Sequence, residues 1–193
     1  MAQSRRRDTS PERASARRRT VATYFDAALR LLDTEGYGGL KLAPLCKEIG
    51  LTTGAFYHNF ASWSDFTTQL LRYWHEERTT RLIAIMNTEP DPIARLELLL
   101  ATATALPHGA EAAIRVWSTI DPEVRAVQLA VDSERIAVVI ETFSEMVGRA
   151  EAVHFARTAL YLLIGHELAG PASDPASLSW ALRNLISLAR SRS

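Results

Sequence analysis

Gly50-Leu51-Thr52-Thr53-Gly54-Ala55-Phe56-Tyr57-His58-Asn59-Phe60 decides the reading of this chain. A glycine turn opens the stretch, Thr52 stands where a hydroxyl caps a helix, and Ala55, Phe56 and Phe60 share one helical face. Upstream, a helix begins near Leu42 with Leu45, Cys46 and Ile49 inward; Pro44 is tolerated because first-turn amides have no helical partner. Helix, glycine turn and short helix with a small polar front form a helix-turn-helix layout, whose second helix enters a DNA major groove. Thr52, Thr53, Gly54 and Ala55 make the front, and Tyr57, His58 and Asn59 add hydrogen-bonding reach at the next turn.

Working outward, Val21, Phe25, Ala28, Leu29 and Leu32 form the buried face of a first helix that Gly36 stops. Ser62 and Asp65 start a long fourth helix through Phe66, Leu70, Leu71, Trp74, Leu82 and Ile85, ended by Pro90 and Pro92. Helices follow over 91–106, 110–120, 121–147, 151–168 and 177–189, with Asp121 and Pro122 as N-cap and first-turn proline. No stretch alternates like a strand. The expectation is an all-α chain of about nine helices. Residues 1–19 read as a basic, disordered arm, 20–62 as the helix-turn-helix domain and 63–193 as a helical regulatory and dimerisation domain.

The formal charge is zero, yet residues 1–60 hold ten basic and six acidic side chains, net +4, and the remainder is net −4. The excess lies mainly in Arg5, Arg6, Arg7, Arg13, Arg17, Arg18 and Arg19, so a polyanion is drawn to this end alone. The apolar stretch 152–164 is interrupted by His154 and Arg157 and is shorter than the roughly 20 residues a bilayer span needs. With no apolar run behind the basic start, a cytoplasmic protein without a membrane partner is expected. A single cysteine, Cys46, allows neither an internal disulfide nor a multi-cysteine metal site and reads as a small core residue.

No phosphate-cradling glycine loop or nucleophile elbow occurs, and His75-Glu76-Glu77-Arg78-Thr79 lacks the second histidine of a zinc helix. Neither an enzyme, a cofactor nor a metal is expected. The rival is a helical interaction module that binds no DNA, since helix pairs with a glycine turn also serve as plain scaffolding.

The stretch from Gly50 to Phe60, with Ser62 and Phe66 after it and Phe25 to Leu32 and Glu35-Gly36-Tyr37 before it, resembles the signature of the TetR family. The resemblance implies a sequence-specific transcription regulator, either a repressor released by a small-molecule effector or an activator of the same fold. It implies that Thr52, Tyr57 and the backbone near Thr20 hold phosphates, while Thr53, Gly54, Ala55 and His58 face bases. Without arginine or glutamine at the front of the helix, methyl and hydroxyl contacts are expected, with Lys47 and the basic arm adding affinity. Two positions depart from the family pattern. Trp63 replaces a usual lysine and either donates its indole N–H to phosphate or packs; Lys41 replaces a usual capping threonine and is itself able to bind phosphate.

For the remainder, the resemblance implies a helical domain that binds an effector and pairs two subunits. Candidate cavity residues are Trp74, Arg78, Met86, Arg115, Trp117, Phe143 and Met146; an apolar cavity selects a hydrophobic effector, and Arg78 or Arg115 inside it favours a carboxylate. His108, beside Pro107, reads as a surface residue. Phe155, Ala159, Leu160, Leu163, Leu182 and Leu185 lie on broad, alanine-rich stripes and are the candidate homodimer interface. Two-fold pairing then requires a near-palindromic duplex operator.

Overall fold

The computed structural model describes residues 11–192. The elements are α1 (Pro11–Glu35), a 3-10 turn (Tyr37–Gly39), α2 (Leu42–Glu48), α3 (Thr53–Asn59), α4 (Trp63–His75), a π-helical turn (Glu76–Thr80), α5 (Arg81–Met86), α6 (Pro92–Thr104), α7 (His108–Ser118), α8 (Pro122–Val147), α9 (Arg149–Leu168), a 3-10 turn (Gly170–Ala172) and α10 (Pro175–Arg190). Because α4, the π turn and α5 run on without a break, the described residues form nine rods and no strand. None of their helices is long and apolar enough to cross a membrane.

The boundaries follow from capping chemistry. Thr52 accepts from the Ala55 amide at 3.2 Å, Ser62 from Asp65 at 3.0 Å, and Asp121 from Glu123 and Val124 at 2.9 and 3.3 Å. Gly50 turns the chain between α2 and α3 at φ 66, a left-handed conformation that favours glycine. One boundary differs from expectation: residues 11–19 of the arm are helical. Pro11 occupies the first turn, where its missing N–H costs nothing, and the alanines and arginines behind it are good helix formers. The other arginines assigned to the arm, Arg5, Arg6 and Arg7, lie outside the described residues.

Two apolar cores hold the rods. The first joins α1–α4 to α7 and the front of α8, from Tyr24 and Phe56 through Trp74 to Ile114 and Val131. The second joins α6, the end of α8, α9 and α10 through Leu96, Phe143, Phe155, Leu163 and Leu182. The first core therefore passes beyond residue 62, and the helix-turn-helix unit is packed onto the body. At that seam Gly109 brings the start of α7 against the end of α1, where the Ala110 amide donates to Asp33 Oδ1 at 3.1 Å. A Cβ on Gly109 would stand 2.3 Å from the Asp33 carbonyl oxygen, so only glycine permits the approach.

Candidate nucleic-acid interface and ligand cavity

The helix α3 is fastened from behind by aromatic rings. Phe56 and Phe60 are fully buried, and Tyr24 of α1 meets them edge-on at 5.8 and 5.3 Å. Tyr73 of α4 ties the same unit by donating its hydroxyl to Asp26 of α1 at 2.8 Å; burial, then that bond and the Asp26 charge, push its pKa up to about 12. With the apolar side spent on this packing, Thr52, Thr53, Gly54, Tyr57 and His58 stand exposed and Ala55 half-buried. Thr20, Lys41 and Lys47 are exposed as well, so the structure places every candidate DNA contact within solvent reach.

Gly54 is informative because the fold does not require it. A Cβ there would meet only Thr52 Oγ1, at 3.7 Å, an ordinary contact. Trp63 is half-buried and packs its ring on Phe56 and Phe66 at 5.9 and 5.1 Å, which is the packing alternative. Lys41 occupies the N-cap of α2 without a side-chain cap bond and stands exposed. Arg30 of α1 pairs with Glu48 of α2 at 3.2 Å, across exposed surface.

Residues 25–65, the helix-turn-helix with the flanking parts of α1 and α4, match the model of the bacterial regulatory proteins of the tetR family. The N-terminal unit is a TetR-family DNA-binding domain. The whole chain shares its fold with a TetR-family transcriptional regulator from Streptomyces coelicolor, at TM-score 0.72 and 19% identity over 96% of each chain. A transcriptional regulator from Saccharomonospora viridis, solved with choline, is similar at TM-score 0.73 and 18% identity, over 90% of this chain and 96% of that one. The Bacillus subtilis regulator FadR, solved with stearoyl-CoA, is similar at TM-score 0.64 and 14% identity, over 86% and 96%. No curated protein sequence matches the chain. The family match is confined to residues 25–65, and beyond it the likeness to these regulators is one of fold.

Behind the TetR head lies a cavity of ≈ 130 Å³ between the α4–α5 rod, α6, α8, α9 and α10. Of the seven candidate effector residues, the structure brings Arg78, Met86 and Phe143 to its wall and leaves Trp74, Arg115, Trp117 and Met146 off it. The four are spent elsewhere. Trp117 stacks on Tyr37 at 4.9 Å, and Met146 packs in the second core. Trp74 donates its indole N–H to buried Glu111 at 2.8 Å. Arg115 is bound by Asp132 at 2.8 Å and Glu167 at 3.2 Å.

The stripes on α9 and α10 turn differently from expectation too. Phe155, Leu163 and Leu182 are buried in the second core, and Ala159, Leu160, Leu163, Leu182 and Leu185 line the cavity. Phe155, Leu163 and Leu182 are thus spent within their own subunit, while Ala159, Leu160 and Leu185 stay half-buried. Their apolar periodicity reported burial, and a wall of an internal cavity reads like an intersubunit seam. The sides facing outward instead carry Tyr161, Leu168, Trp180 and Leu188, at 68, 55, 69 and 44% exposure.

Sequence reasoning missed Arg135. It reaches from α8 to Glu111 at 2.8 Å, to Thr79 Oγ1 at 3.1 Å and to the Arg78 carbonyl at 3.3 Å, so it grips the π turn at the cavity wall. A lone arginine on a surface-like stretch gives no local sign of such a role. His108 was missed likewise: it packs edge-on against buried His166 at 4.4 Å, and burial, then His166, lowers its pKa. Glu167, buried next to Glu111, is driven up to about 7 by desolvation and that like charge, against the pull of Arg115 and Arg135.

Proposed function

We propose that the protein is a homodimeric repressor that a small-molecule effector releases from its operator. The observation that carries the release step is the cavity wall: Arg78, Thr79, Leu82, Ile83 and Met86 belong to the same rod that enters the reading head at Trp63. An occupant that moves this wall moves the head. The rod is interrupted there by the π turn, a feature frequent at functional sites, and Arg135 of α8 bonds to it at Thr79 and at the Arg78 carbonyl. That two regulators of similar fold were solved with choline and with stearoyl-CoA supports a small-molecule occupant.

In this reading Thr52, Tyr57 and the backbone near Thr20 fix phosphates, Lys41 and Lys47 add charge, and Thr53, Gly54, Ala55 and His58 meet base edges. The subunits pair through the outward faces of α9 and α10, where Trp180, Tyr161, Leu168 and Leu188 otherwise stay wet. Release requires an effector that prefers the state whose heads no longer match successive grooves. A saturating effector then weakens operator affinity by about tenfold or more, roughly 1.4 kcal/mol of coupling. Titrating operator DNA with and without effector checks this; tight effector binding with unchanged operator affinity refutes the release step.

A further inference from the structure

The chemistry of the cavity names the class of its occupant, an inference that rests on the cavity being the effector site. Its wall is almost wholly aliphatic, from Leu96 and Leu99 of α6 to Leu163 of α9 and Ile186 of α10. The polar exceptions are Arg78, Thr79, Thr102 and Arg135, and no carboxylate lies among the lining residues. The two arginines are not equivalent. Arg135 is neutralised by Glu111 at 2.8 Å, and its remaining nitrogens are committed to Thr79 and to the Arg78 carbonyl. Arg78 makes no salt bridge among the described residues, and its Nε is shut off from solvent with no hydrogen-bond partner.

A buried guanidinium donor without an acceptor is unfavourable, and a charge-assisted bond to it is among the stronger polar contacts available. An apolar chamber with one uncompensated positive group on its wall selects a molecule that is apolar along its body and singly anionic at one end. We propose that the cavity binds a small aliphatic carboxylic acid, with its carboxylate on Arg78. The size of the chamber points the same way. At ≈ 130 Å³ it is close to the roughly 150 Å³ that accommodates a benzene-sized molecule, and short of the roughly 300 Å³ and above of a drug-sized pocket. Arg78 also sits on the π turn, so the group that takes the carboxylate is part of the rod leading to the head.

The test is calorimetric titration of the full-length protein with hexanoate, 1-hexanol and hexylamine, three probes of one chain length. Hexanoate is expected to bind at least about tenfold more tightly than the other two. Arg78→Gln brings hexanoate down to the affinity of hexanol and leaves hexanol unchanged, which also shows that the chamber is still folded; Arg78→Lys keeps part of the preference. Equal binding of hexanol and hexanoate, a preference for hexylamine, no binding of any probe, or an Arg78→Gln variant that keeps the preference overturns the assignment. Operator affinity is read separately. Hexanoate that binds through Arg78 yet leaves operator affinity unchanged supports the ligand class and overturns the release mechanism.

Discussion

Gly54 and Glu167 show two ways in which a single residue departs from what stability alone prefers. Alanine at position 54 meets no obstacle in the protein, only Thr52 Oγ1 at 3.7 Å, and is the better helix former. Gly54→Ala is therefore expected to leave the melting temperature level or raise stability by up to about 1 kcal/mol. Operator binding is expected to weaken in the same variant, by about 1 kcal/mol or more, because in the proposed reading the added methyl stands at the front that approaches base edges. Thermal melts and operator titrations of the one variant check both halves. Glu167 works through pH. Its carboxyl is raised to about 7 in the folded chain from 4.5, so the stability tied to its protonated form is full below pH 4.5 and is lost as pH climbs through 7. Glu167→Gln, neutral at every pH, should gain on the native protein across this window, by at most about 3 kcal/mol at pH 8, in melts followed from pH 4.5 to 8.

At the scale of elements, the seam between α1 and α7 depends on a missing side chain. Gly109→Ala would put a Cβ 2.3 Å from a backbone oxygen of Asp33, which has no flexible end to yield. Urea denaturation should show a loss of about 1–3 kcal/mol, the cost of forced overpacking; an unchanged midpoint would mean that the seam relaxes freely. What the sequence discloses about elements follows from how local the cause is. Thr52, Ser62 and Asp121 cap within three residues of themselves, so the starts of α3, α4 and α8 were legible. Apolar stripes disclose that a face is buried without disclosing its partner, and for that reason Leu160, Leu163, Leu182 and Leu185 read as an interface and prove to be cavity wall. Trp74 and Trp117 failed as cavity residues for the same cause, their partners Glu111 and Tyr37 being distant in sequence. The π turn Glu76–Thr80 has no residue pattern of its own, and its hold by Arg135 comes from α8, far along the chain.

For the whole molecule, the proposed function joins three places on one chain: the exposed side of α3, a cavity walled by the rod behind it, and the outward sides of α9 and α10 that carry Tyr161, Leu168, Trp180 and Leu188. The last is open to a simple test. Trp180 lies at 69% exposure, too solvent-exposed for its loss to disturb the subunit's own core. Trp180→Asp is expected to give a monomer by light scattering with an unchanged melting profile at low concentration, and operator affinity should fall by about tenfold or more as the two-site contact is lost. A variant that remains dimeric moves the interface to another surface.

The most direct measurement is a footprint of the purified protein on the DNA upstream of its own gene, repeated over a salt series and with Thr53→Ala and Tyr57→Ala. The expected result is a protected, near-palindromic site whose affinity falls steeply with salt and is lost in both variants. Binding that never rises above the non-specific level, or that both substitutions leave intact, would contradict the assignment of Thr53, Gly54 and their neighbours as the DNA-reading surface.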